Sequence, residues 1–144
     1  MSEKIELPKT PSFRLDGRRA LVTGAGRGIG RAAAAALAAA GAVVTLAARS
    51  SSEIKAVAEA IRDTGGKAEA MTLDVTNTEA VTSEIAARGP FQVLFNNAGA
   101  NRPQSIRELT KQDYDAVTDL NVRGAIFVAK AVATGLLDAD LTGS

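Results

Sequence analysis

Thr23-Gly24-Ala25-Gly26-Arg27-Gly28-Ile29-Gly30 decides the reading of this 144-residue chain. Ahead of it, Arg19–Thr23 has the length and apolar character of a short buried strand; behind it, the alanine-dominated Arg31–Ala40 reads as a helix. Glycines between a strand and a helix permit a tight turn, a close approach of backbone to a bound group, and close packing of helix on strand. The helix N-terminus adds unpaired amides and the positive end of a dipole, which together suit a pyrophosphate. A strand-to-helix turn without a ligand also uses glycines, so the rest of the chain has to choose between the two readings.

Outward from this segment, strands and helices alternate, the pattern of a parallel sheet covered by helices. Val43–Ala47 reads as a second strand after Gly41. Ser50 and Glu53 fit a capping box for a helix whose Ile54, Val57, Ala58 and Ile61 recur at helical spacing until Gly65-Gly66. Ala68–Leu73 is the next strand, Thr76 and Glu79 repeat the capping pattern, and Gly89-Pro90 ends that helix before a strand at Phe91–Phe95. A last helix is expected from near Thr110 towards Gly135. Residues 1–13 read as a proline-bearing arm with charges at Glu3, Lys4, Glu6 and Lys9, and residues 14–144 as part of a single dinucleotide-binding domain.

The end of the second strand is where such a fold reads the adenosine ribose. It carries Ala47-Ala48-Arg49-Ser50 and no carboxylate to accept a bond from a 2′-hydroxyl. Arg49, with Arg27 on the other side, would instead attract a 2′-phosphate, which favours NADP(H) over NAD(H). Taken singly, each arginine also reads as an ordinary solvated loop charge. Residues 1–50 hold 8 basic and 3 acidic side chains, so the net positive charge falls in the segment that would hold this phosphate. At the third strand end, Asp74 is placed to accept a bond from an adenine amino group with Val75 packed on the ring, or else to cap the next helix. At the fourth, Asn96-Asn97-Ala98-Gly99 suits a backbone passing close to a ligand, or plain turn chemistry.

Composition closes other routes. With no histidine and no cysteine there is no Ser-His-Asp triad, no thiolate nucleophile, no disulfide, and no imidazole or thiolate metal site; no metal is expected. A net charge of +1 lacks the excess that nucleic-acid binding requires. The uncharged stretch Ala32–Ala48 approaches membrane-span length, but Gly41 splits it into helix, turn and strand, so no membrane partner is expected. With neither cysteines nor an export signal, a cytoplasmic location is expected.

Together, Thr-Gly-x-x-x-Gly-x-Gly at 23–30, Asp74-Val75, Asn96-Asn97-Ala98-Gly99 and Asn121 within Asp119-Leu120-Asn121-Val122 resemble the short-chain dehydrogenase/reductase family, over residues 14–144. The resemblance implies an α/β, Rossmann-type doubly wound parallel sheet of strand order 3-2-1-4, truncated here after the fourth strand and its following helix, with strand four left as an open edge. It implies cofactor contacts from Gly24, Gly26, Arg27, Gly28, Ile29, Gly30, Arg49, Ser50, Asp74, Val75, Asn97, Ala98 and Gly99. Asn96 would steady the sheet, and Asn121 would help hold a water in a proton relay, a catalytic part. The implied activity is NADP(H)-dependent hydride transfer to or from a small carbonyl or secondary-alcohol substrate, by a homo-oligomer, dimer or tetramer, when complete.

The family's catalytic Ser, Tyr and Lys have no counterpart in the 144 residues. The only tyrosine, Tyr114, is followed four residues later by Thr118, so it reads as a core or helix-start residue, and this chain alone is expected to be inactive. A non-catalytic NADP(H)-binding or scaffold module is the alternative. A methyltransferase on a related sheet would want an acid near Ala48 and leaves the Asn-Asn-Ala-Gly segment unexplained. Arg102, in Asn101-Arg102-Pro103-Gln104, is either a contact for an anionic substrate or a solvated loop charge.

Overall fold

Parallel strands buried on both faces need near-continuous apolar runs, and the two central strands have them. The computed structural model describes residues 11–144, so the charges noted in the N-terminal arm lie outside the described residues. β1 (Arg19–Thr23) and β2 (Val43–Ala48) are buried along almost their whole length, while β3 (Lys67–Thr72) exposes Lys67 at a sheet edge. β4 (Val93–Phe95) completes a parallel sheet of order β3-β2-β1-β4, the expected order. Val22 stands opposite Leu46 on one side and Phe95 on the other.

Alternate residues of β1 feed two separate cores, as the pleat requires. Ala20 and Val22 join Val44, Leu46, Ile54 and Ile61 beneath α1 (Gly28–Ala39) and α2 (Ser51–Asp63). Leu21 faces the other way, with Met71, Val81, Ile85, Phe91, Val128 and Val132 beneath α3 (Thr78–Arg88) and α5 (Ala125–Asp138). The stretch Ala32–Ala48 is helix, turn and strand, as expected. α1 stops in a Schellman arrangement in which Gly41 donates to Ala38 and Ala42 donates to Leu37. Gly41 takes φ 103°, and a Cβ there would come 2.1 Å from Asp16 Oδ1, so a substitution would be strained and would have to displace the Asp16 side chain.

Several boundaries depart from the sequence expectation. Thr76 does not cap α3; the Asn77 side chain does, accepting from Ala80 N, because the Thr76 amide and hydroxyl both turn back to Asp74. The capping box at α2 is only half formed: Ser50 accepts from Glu53 N, but the Glu53 carboxylate lies elsewhere. The full box is at Thr110 and Asp113, ahead of α4 (Lys111–Thr118). α4 runs into α5 through a π-helical turn at Asp119–Gly124, where a regular helix was expected. The combined run is 28 residues and contains an 18-residue stretch with a mean hydropathy of 1.4, enough by length and composition to cross a membrane, and it seats Val128 and Val132 in the core. Tyr114 is at the start of α4, as one of its two readings had it, and at 61% exposure is no core residue. The edge of β4 is not wholly open: Leu94 N donates to Ser144 O and Ser144 N donates to Gln92 O, the two rungs of a parallel bridge around Val93.

Phe91 is fully buried, with the Arg19 guanidinium 5.5 Å from its ring centroid. Phe91→Ala should lower unfolding free energy by about 3 to 5 kcal/mol in urea titrations, the usual cost of deleting a buried aromatic.

Candidate functional site

Three strands and the turn after β1 meet at the C-terminal end of the sheet, and a single hydroxyl joins two of them. Thr23 is fully buried. Its Oγ1 accepts from Asn97 N and Ala98 N, both at 2.9 Å, and donates to Asn96 Oδ1 at 3.4 Å. The Asn97 amide returns the link, donating to the carbonyls of Thr23 at 3.2 Å and Gly24 at 3.4 Å. β4 is thereby locked to the glycine-rich turn. Asn96 Nδ2 donates to Ala125 O at 2.8 Å, which also fastens the start of α5.

The turn admits no side chain at Gly30, where a Cβ would lie 2.2 Å from Gly24 O and 2.7 Å from Asn97 Nδ2. Helix and strand approach this closely only because glycine stands there. α1 then begins with no side chain capping it and no acid in its first turn; α2, α3 and α4 are capped by Ser50, Asn77 and Thr110 and each carries an acid in its first turn. The α1 N-terminus therefore keeps amides and a positive dipole end free for an anion.

A cleft of about 600 Å³ opens in front of it. Gly24, Gly26, Arg27, Gly28 and Ile29 border it from the turn, Arg49 and Ser50 from the end of β2. Asp74 and Val75 come from the end of β3, and Asn97, Ala98 and Gly99 from the end of β4. Gly30 lies behind this lining as a packing residue, and Asn121 does not reach it. Sequence reasoning missed Thr23 as a site residue, and it missed Glu53, which lines the same cleft. Buried threonine at the end of a central strand was the available signal for the first; nothing in the spacing distinguished the second from an ordinary capping glutamate.

Asp74 does not cap α3. Its Oδ1 accepts from the Thr76 amide at 3.0 Å and hydroxyl at 2.8 Å, forming an Asx turn. Desolvation pushes its carboxyl up, but these two hydrogen bonds and the nearby Arg49 charge outweigh it and hold the group below its usual 3.8. Asn121, in the π-helical turn, spends its side chain on one residue: Oδ1 accepts from Ala100 N and Nδ2 donates to Ala100 O, each at 2.9 Å. Gly124 lets this turn press on the loop after β3, where a Cβ would come 3.0 Å from Val75 O. Arg102 is held at 3.3 Å by Asp113, which draws its loop onto the start of α4.

The model of the short chain dehydrogenase family matches residues 18–143. The chain belongs to that family. Among curated members it is 39% identical over 129 residues to a gluconate 5-dehydrogenase of Gluconobacter oxydans, covering 87% of this chain and 50% of that protein. It is 37% identical over 134 residues to a D-erythrulose reductase of Gallus gallus, covering 93% and 53%. The chain thus spans about half the length of the curated family members it matches. Among solved structures, a gluconate 5-dehydrogenase from Burkholderia cenocepacia, in complex with NADP and tartrate, superposes with a TM-score of 0.81 at 38% identity, over 89% of this chain and 52% of that one.

Thr23→Val keeps the shape but strands two amide donors of the family's Asn-Asn-Ala-Gly segment. It should cost about 1 to 3 kcal/mol in denaturant titrations, with Thr23→Ser close to the native chain. For Asp74, a folded value below the unfolded one means that the charged carboxylate stabilises above pH 3.8 and that this contribution is lost as pH falls through the lowered folded value. The gap in Tm between the native chain and Asp74→Ala should be constant near neutral pH and shrink in acid.

Proposed function

We propose that this chain forms the adenosine-side cofactor site of an NADP(H)-dependent oxidoreductase acting on a carbonyl or secondary-alcohol substrate. One observation carries the reading: Arg27 and Arg49 border the same cleft from opposite elements, with Ala47 and Ala48 where a carboxylate would select NAD(H). The NADP in the Burkholderia enzyme, a protein of the same family, supports it.

In this reading the uncapped N-terminus of α1 and the glycine turn take the pyrophosphate, and Arg27, Arg49 and Ser50 take the 2′-phosphate. Asp74 and Val75 receive the adenine, Asp74 through the carboxylate oxygen that Thr76 leaves free. Ile29, Asn97, Ala98 and Gly99 border the remainder of the cofactor. When bound, NADP(H) supplies the hydride acceptor or donor at its nicotinamide. Asn121 acts as a positioning residue: its side chain pairs with both backbone groups of Ala100 and bears on a proton relay through the loop it fixes.

Substrate conversion and assembly belong to the proposal as well. Taken alone, the 144 residues are proposed to bind cofactor without turning over substrate, since Thr118 stands where a Tyr114-based pair would need lysine. The exposed Tyr114, Val122, Ile126 and Leu137 along the α4–α5 run are the proposed contact of a homo-oligomer. A cytoplasmic location accompanies this reading.

Isothermal titration checks the cofactor assignment. The chain should bind NADPH more tightly than NADH, and Arg27→Ala or Arg49→Ala should each weaken NADPH by about tenfold while changing NADH little. Equal affinities for the two cofactors in the native chain would overturn it.

A further inference from the structure

Glu53 occupies an unexpected place for a carboxylate. As the third residue of α2 it is positioned to return to the helix cap, as Asp113 does in α4. Instead its side chain lies across the glycine turn: a Cβ built on Gly26 would come 2.7 Å from Glu53 Oε2 and 3.0 Å from Glu53 Cβ. Gly26 immediately precedes Arg27, and Glu53 lines the cleft together with Arg27 and Arg49. Among the described residues, neither arginine forms an ion pair with Glu53 or with any other carboxylate. The cleft that two cations prepare for a phosphate therefore also holds the Glu53 carboxylate, beside the glycine turn, in addition to Asp74 at the end of β3.

We propose that Glu53 is a specificity-determining residue that opposes the 2′-phosphate and so limits the preference for NADP(H) over NAD(H) set by Arg27 and Arg49. The inference rests on the NADP(H) reading of the cleft. A 2′-phosphate brings up to two negative charges into a cleft that already holds the Glu53 carboxylate, and like charges repel. A ribose 2′-hydroxyl brings no charge and can donate a hydrogen bond to a carboxylate. Glu53 thus weakens one cofactor and tolerates the other, which a purely cationic pocket would not do. Glu53, Arg27 and Arg49 are all exposed, so the opposition is screened by solvent and depends on salt.

The test titrates NADPH and NADH into the full native chain, Glu53→Gln, Glu53→Ala and Glu53→Asp, with thermal melts to establish that each variant is folded. The ratio of the NADH Kd to the NADPH Kd should rise roughly three- to tenfold in Glu53→Gln, chiefly through tighter NADPH binding, and the rise should shrink in high salt. Glu53→Ala removes the same charge by a different route and carries the test should Glu53→Gln fail to fold, while Glu53→Asp should stay near the native ratio. A ratio that does not move, with both cofactors altered equally, would show that Glu53 only packs against Gly26 and would overturn this inference alone. A native chain that binds neither cofactor would overturn the NADP(H) reading and this inference together.

Discussion

The site depends on one buried hydroxyl. Thr23 ends the central strand and collects two backbone amides from the end of β4, which fixes the height at which the Asn-Asn-Ala-Gly segment meets the glycine turn. Asn97 closes the same junction from the other side by donating to the carbonyls of Thr23 and Gly24. Because Gly30 carries no side chain, the first turn of α1 settles directly on this junction. Strand order, turn and helix start are thereby made mutually dependent, and the cleft is their common boundary. A group that must satisfy two amides at once tolerates little displacement, since a buried donor left unpaired costs more than a formed hydrogen bond gains.

The fold was legible because its signals are local and periodic. Four strands and the helices between them follow from apolar runs punctuated by Gly41, Gly65-Gly66 and Gly89-Pro90, with most boundaries within two or three residues, whereas the order 3-2-1-4 was implied only by the family resemblance. What was not legible is where a side chain spends its hydrogen bonds when two partners compete. Thr76 was a plausible cap by type and spacing, yet Asp74 stands two residues before it and captures both its donors, leaving Asn77 to cap α3. Glu53 matched a capping box equally well and turned to Gly26 instead. Ser50, Thr76 and Thr110 present the same kind of motif, and only at Thr110 is the box complete.

The π-helical turn at Asp119–Gly124 shows the same limit on a larger scale. Nothing in the periodicity from Thr110 to Gly135 marks a break. The break is set by two long-range contacts, the Asn121 clamp on Ala100 and the approach of Gly124 to Val75, neither of which a one-dimensional pattern records. π-helical turns persist in helices where tertiary contacts compensate for the lost regular pairing, commonly near functional sites. Here the irregular turn lies beside the loops that follow β3 and β4, both of which border the cleft.

Satisfied polar groups account for the frame, and unsatisfied ones point to its use. α2, α3 and α4 each begin with a side chain that takes up an amide, and each has an acid in its first turn. α1 has neither, and its cap position is held by a cation, Arg27. Left to itself that arrangement is unfavourable, since a positive side chain at the positive end of a helix dipole is repelled. An anion set between the helix N-terminus and Arg27 would turn both repelled partners into attractive ones. A negatively charged ligand would relieve the unfavourable start of α1 and fill the open cleft in front of it. The Arg49 charge, placed across the same cleft and already drawing the Asp74 carboxyl down, would act on it in the same sense.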